Sequence, residues 1–148
     1  MHYYLTFSTT ISNVLIPNFK LSTEKARSVL PKEYKVADCI FNTSRLALLL
    51  NFLRDRDYEN LRICLEDKLH QPYRFSLINN SLEIFEESKK LGALGEFISG
   101  AGPTLISWST KDNKEYQEKL TKFLDTLEDK WELKDLTINK SGTIIEEV

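Results

Sequence analysis

The stretch Leu94-Gly95-Glu96-Phe97-Ile98-Ser99-Gly100-Ala101-Gly102-Pro103-Thr104-Leu105-Ile106-Ser107-Trp108 decides the fold. Two apolar runs, Leu94 to Ile98 and Leu105 to Trp108, flank six residues of turn chemistry and read as strands joined by a tight glycine loop. Gly100 and Gly102 permit positive φ in that loop, and Pro103 stiffens it. Toward the C-terminus, Tyr116, Leu120, Phe123, Leu124 and Leu127 repeat at helical spacing. Trp131 to Ile138 then alternates as a strand, with a weaker one expected at Thr143 to Ile145.

Toward the N-terminus the pattern is helical. Leu82, Phe85, Ser88 and Leu91 mark a helix ended near Gly92, and Tyr58, Leu61, Leu65 and Leu69 mark another that Pro72 should stop. From Val36 a longer helix carries Ile40, Phe41, Ala47, Leu48, Leu50 and Phe52 around most of its surface, the pattern of a central, buried helix. The charged turn Arg54-Asp55-Arg56-Asp57 closes it. Ser22 and Thr23 offer N-cap oxygens for a short helix that runs to about Leu30, with Pro31 after it. Before it, Val14-Leu15-Ile16 is a strand stopped by Pro17. The order strand, helices, strand, strand, helix, strand is the α+β solution, with helices gathered on one face of a largely antiparallel sheet. One domain over residues 1–148 is the simplest organisation.

Composition narrows the function classes. The chain is 41% hydrophobic and 28% charged, as expected of a globular domain. A net charge of -2 provides no footprint for nucleic acid. The longest apolar run, Leu46 to Leu53, is interrupted by Asn51 and flanked by Arg45 and Arg54, so no membrane span is expected. Met1-His2-Tyr3-Tyr4 lacks the basic start of a signal peptide, which leaves a cytoplasmic location as the default. Cys39 and Cys64 fall inside the expected helices and read as buried apolar thiols rather than a disulfide.

All five glycines lie at or after position 92. A phosphate cradle needs glycines so that backbone N–H groups converge on the anion, and Gly100–Thr104 is the one glycine-rich loop. It lies between strands and holds no Lys, so it is not a P-loop. Thr23 and Arg27 are four apart and share a helix face, which suits either a capping threonine with a surface arginine or a ligand site. In His70-Gln71-Pro72-Tyr73-Arg74, Arg74 either meets helix carbonyls or projects as an anion clamp. The two histidines and two cysteines have no metal-ligand spacing, and the carboxylates are expected mostly on solvent faces.

The segments together are more specific. Ile16-Pro17-Asn18-Phe19-Lys20-Leu21-Ser22-Thr23-Glu24-Lys25-Ala26-Arg27 resembles the segment that follows the substrate-domain strand in homoserine kinases. Phe41-Asn42-Thr43-Ser44-Arg45 and Leu65-Glu66-Asp67-Lys68-Leu69-His70-Gln71-Pro72-Tyr73-Arg74 continue the resemblance in the same order. Ser99-Gly100-Ala101-Gly102-Pro103-Thr104 is similar to the third motif of the wider superfamily acting on galactose, homoserine, mevalonate and phosphomevalonate. The resemblance runs from about residue 14 to 138 and implies a ferredoxin-like α+β layer.

It also implies transfer of the ATP γ-phosphate to the hydroxyl of L-homoserine, a step toward threonine. Thr23, Arg27, Arg74 and Gly100 would line the amino-acid site, with Ala101, Gly102, Pro103 and Thr104 near the phosphate. The resemblance assigns ATP and Mg2+ to an N-terminal domain bearing a Pro-x-x-x-Gly-x-Gly-Ser-Ser-Ala type loop. Residues 1–148 contain no such segment, so this chain alone is expected to bind neither and to be inactive. The missing ATP-binding domain and a second copy in a homodimer are the implied protein partners. Two alternatives stand beside this reading: half of a kinase for another small alcohol such as mevalonate, and a non-catalytic amino-acid-binding or regulatory module. No catalytic base is identified.

Overall fold

The computed structural model describes residues 10–137. Its elements are β1 (Thr10–Pro17), α1 (Thr23–Ser28), α2 (Val36–Asp55), α3 (Leu61–Cys64), α4 (Gln71–Arg74), α5 (Ser81–Lys90), β2 (Gly95–Ile98), β3 (Leu105–Thr110), α6 (Tyr116–Leu124) and β4 (Trp131–Leu136). The four strands form one antiparallel sheet in the order β2-β3-β1-β4, the ferredoxin-like arrangement expected. The weak strand expected at Thr143 to Ile145 lies outside the described residues.

Register explains the core. Leu15 pairs with Leu105 and Leu133, Asn13 with Ser107, and Ile98 with Leu105, so these side chains share one face of the pleat. Leu15, Ile98 and Leu105 are buried with Ile84 of α5 and with Tyr116, Leu120 and Leu124 of α6. A buried polar row runs through the same face. Asn13 Nδ2 donates to Ser107 O (3.1 Å) and Ser109 Oγ (2.9 Å), and Tyr116 Oη donates to Ser107 Oγ (2.8 Å). These bonds offset the cost of burying amide and hydroxyl groups. Nothing in the strand pattern announced them.

Several expectations are corrected. α2 is not a central buried helix: Val36, Ile40, Leu46 and Leu50 are exposed, and Leu53 is its buried residue. Asn42, Arg45, Leu49 and Leu53, at three- and four-residue spacing, face the rest of the domain instead. Apolar residues all round a helix show that its surface avoids water, not that the same chain covers it. At 20 residues, with a mean hydropathy of 1.3, α2 also has the length and composition of a membrane span, but one such weakly apolar helix is not enough to overturn the expectation of none. Its inner face is tied to this domain by Arg45–Glu66 and Asp38–Lys68 ion pairs. Cys39, on α2, is exposed, whereas Cys64 is buried as expected.

The single helix expected over Tyr58 to Leu69 is the one-turn α3 followed by a loop, and Pro72 begins α4 rather than ending a helix. A proline costs little in the first turn because its missing N–H has no intrahelical acceptor there. On α5 the buried stripe is Ser81, Ile84 and Ser88, while Leu82 is exposed.

Truncation separates core from surface. Leu105→Ala, at a fully buried position, should cost about 2–5 kcal/mol. Leu50→Ala, 52% exposed, should stay within about 0.5 kcal/mol. Chemical denaturation of the two variants checks this; a loss at Leu50 as large as at Leu105 would restore the buried-helix reading.

Candidate functional site

Three segments distant in sequence meet at Arg74. α1 is short, so its last carbonyls have no intrahelical donors. Arg74 Nε donates to one of them, Ala26 O, at 3.1 Å. Arg74 Nη1 donates to Gly100 O (2.8 Å) and lies 3.1 Å from His70 Nδ1. Arg74 is buried, 8% exposed, and both alternatives read from its sequence position apply in part. It meets carbonyls, on α1 and the glycine loop rather than on its own helix. Nη2 makes no hydrogen bond to the described residues and remains a donor available to a ligand.

Thr23 and Arg27 lie on the α1 side of this junction. The N-cap is Ser22, whose Oγ accepts from Lys25 N at 3.1 Å, so the Thr23 hydroxyl is not needed for capping. Thr23 and Arg27 are exposed, and neither side chain has a hydrogen-bond or ion-pair partner among the described residues. On the opposite side, Ser99 N donates to Thr104 O (2.9 Å) and Gly102 N to Ser99 O (3.0 Å), closing the loop around the cis Gly102–Pro103 peptide. Gly102 has φ +83°, which favours glycine, and a Cβ there would stand 2.8 Å from Ile78 Cδ1, so that side chain would have to shift. Gly100, φ +57°, has open space where its Cβ would be, which leaves room for a ligand to approach the backbone. Arg74 thus links α1, which carries Thr23 and Arg27, to Gly100 of the glycine loop. Ala101, Pro103 and Thr104 belong to the same loop and are half-buried.

The loop does not fit a nucleotide triphosphate. Ser99 N and Gly102 N are consumed by its own turn, and no lysine stands in it. Among the described residues no group of three His, Cys, Asp or Glu is placed to hold a metal ion.

Sequence reasoning gave no role to Asp67 or Asn42. Asp67 Oδ2 accepts from His70 N (2.7 Å) and Gln71 N (2.6 Å), and Oδ1 from Leu69 N (3.1 Å) and Asn42 Nδ2. Burial disfavours the Asp67 charge, but these donors outweigh it and hold its pKa below the ordinary carboxylate value. Glu96 is also inside, ion-paired to Arg62, and burial pushes its pKa up. Both are exceptions to the expectation of carboxylates mostly on solvent faces, which the exposed Glu24, Glu59, Glu83 and Glu118 follow. The sequence signal available was an acidic residue just ahead of Gln71-Pro72, a helix-start pattern. A separate cavity of about 280 Å³ lies beneath the Asp67 turn, lined by Arg62, Leu65, Gln71, Phe75, Phe85 and Glu96 among others. None of Thr23, Arg27, Arg74 or Gly100 lines it.

His70 makes the site sensitive to pH. Arginine can only donate, so His70 Nδ1 must be the acceptor and the neutral ring carries its proton on Nε2. Burial lowers the His70 pKa, Arg74 lowers it further, and Asp67 only partly restores it. With the folded pKa below the unfolded value, the contribution of neutral His70 is present above the ordinary histidine range and lost as pH falls through the lowered pKa. An imidazole titration by NMR should therefore give a midpoint below 6.5, the ordinary value. The Tm should fall more between about pH 7 and pH 5 in the wild type than in His70→Gln. An ordinary or raised midpoint would contradict the Arg74–His70 geometry.

Comparison with known proteins identifies the family. Residues 48–126, more than half of the chain, match the family described as GHMP kinases C terminal. The chain is 48% identical over 132 residues to a homoserine kinase of Clostridium novyi and 47% identical over 131 residues to one of Clostridium botulinum. These alignments cover 89% and 88% of this chain but 44% of each relative, so the chain spans under half their length. Among solved structures, homoserine kinase from Cytophaga hutchinsonii superposes with a TM-score of 0.82 at 22% identity, over 89% of this chain and 42% of that one. A putative homoserine kinase from Listeria monocytogenes gives 0.62 at 19% identity, over 87% and 41%. Both show the fold. The chain belongs to the GHMP kinase C-terminal family.

Proposed function

We propose that this chain is the substrate-side half of a homoserine kinase, recognising L-homoserine for transfer of the ATP γ-phosphate to its hydroxyl. The observation that carries the reading is the junction at Arg74. One guanidinium holds α1 against the glycine loop, and Nη2, Thr23 and the Arg27 fork have no partner among the described residues. A substrate carboxylate that gives up water needs a cation with directed donors, and a guanidinium offers two parallel N–H groups where lysine offers a point charge. Arg27 supplies that fork, Arg74 Nη2 a further donor, and Thr23 a hydroxyl for the ammonium or hydroxyl end. Holding the substrate at several points fixes the direction of its reacting oxygen.

ATP and Mg2+ belong to the proposal as ligands of the other half of such an enzyme, because the described residues offer no cradle for them. When bound there, they would supply the phosphoryl group and the charge neutralisation that dominate phosphoryl transfer. This chain alone is accordingly proposed to be inactive, cytoplasmic and dependent on an N-terminal ATP-binding domain, with a homodimer as its assembled form.

Isothermal titration calorimetry of the chain with L-homoserine tests the reading. Binding should be measurable and weaken at least tenfold, about 1.4 kcal/mol, in Arg27→Ala and in Arg74→Ala. Mevalonate, which lacks the ammonium, should bind more weakly. Binding unaffected by both substitutions, a preference for mevalonate, or homoserine-dependent ADP release by the chain alone would each overturn part of it.

A further inference from the structure

We propose that Asp67 is the positioning residue for Arg74, holding the one-turn helix that presents its guanidinium to the substrate site. The inference rests on the reading of Arg74 given above. α4 is only four residues long, too short to be stable through its own hydrogen bonds. Tyr73 N and Arg74 N reach back to His70 O at 3.2 Å, while the amides before them, Leu69 N, His70 N and Gln71 N, all point to the Asp67 carboxylate. With Asn42 Nδ2, both Asp67 oxygens accept two donors each. Asn42 Oδ1 in turn accepts from Lys68 N (3.0 Å), which locks the carboxylate to α2. Gln71 fastens the far end of the turn by accepting from Ile98 N (2.7 Å) and donating to Leu65 O (3.2 Å). Asp67 itself touches neither Arg74 nor any of Thr23, Arg27 and Gly100, so its effect on the site passes through the turn.

Four donors and no donor of its own make the carboxylate irreplaceable by an amide. In Asp67→Asn, the NH2 group faces either His70 N–H and Gln71 N–H or Leu69 N–H and Asn42 Nδ2–H, so two donors lose their acceptor in either orientation. Arg74 would then lose register with Ala26 O and Gly100 O while the sheet and its core stay intact.

The experiment follows the Arg74 Nε–H resonance in arginine side-chain 1H–15N spectra of the 148-residue chain, assigned by its loss in Arg74→Lys. In the wild type this proton, donated to Ala26 O, should exchange slowly with water. Asp67→Asn should keep a cooperative thermal transition, lose the resonance to exchange, and bind L-homoserine at least tenfold more weakly. Arg27→Ala should weaken binding but leave the resonance in place. Asp67→Ser, which returns one acceptor to the turn, is measured beside Asp67→Asn so that a folded variant is in hand. A protected Arg74 resonance in whichever folds, or undiminished homoserine binding there, would overturn the proposal. If the wild type binds no homoserine, the functional reading fails, and the resonance alone still decides whether Asp67 positions Arg74.

Discussion

Everything that makes this domain more than a sheet with helices depends on one buried guanidinium. Arg74 donates to Ala26 O at the end of a six-residue helix and to Gly100 O in a loop between strands. A buried charge is tolerated when its donors find acceptors, and here Nε and Nη1 are used on backbone carbonyls contributed by two other segments. The side chain is thereby both a structural clip and a source of positive potential. Remove it, and α1, carrying Thr23 and Arg27, loses the link to the glycine loop that runs through Arg74. The sheet supplies the fixed reference for this clip, because β2 and β3 hold both ends of the loop in register through Ile98 and Leu105.

How much of this could be read in advance depended on whether the determining interaction was local. The β2–β3 hairpin and α6 were legible because strand alternation, turn glycines and helical spacing act over a few residues. The residues gathered at Arg74 were legible mainly through resemblance, since spacing alone left Arg74 open between two roles and Arg27 open between surface and site. Asp67 and Asn42 could not be assigned, because their function is a hydrogen-bond pattern spanning α2 and the turn before α4. The polar row of Asn13, Ser107 and Ser109 was hidden for the same reason: only the strand register brings those side chains together.

The burial of α2 failed for a different physical reason. Hydrophobic patterning reports how much of a helix avoids water in the assembled protein, whereas burial in this chain reports only what the chain itself covers. α2 uses Asn42, Arg45 and Leu53 to hold the domain and leaves Val36, Ile40 and Leu50 exposed. The chain spans under half the length of its relatives, so the surface seen here is not the surface of a whole relative. Pocket size is an equally poor guide. The cavity beneath the Asp67 turn is lined by Phe75 and Phe85 but by none of Thr23, Arg27, Arg74 and Gly100.

The most direct test of the account is to map L-homoserine on the chain by amide chemical-shift perturbation. The account predicts saturable shifts confined to Thr23–Arg27, His70–Arg74 and Ser99–Thr104, three segments joined through Arg74. Shifts centred instead on Arg62, Leu65, Phe85 and Glu96, or no saturable shifts at all, would contradict the assignment of the Arg74 junction as the substrate site.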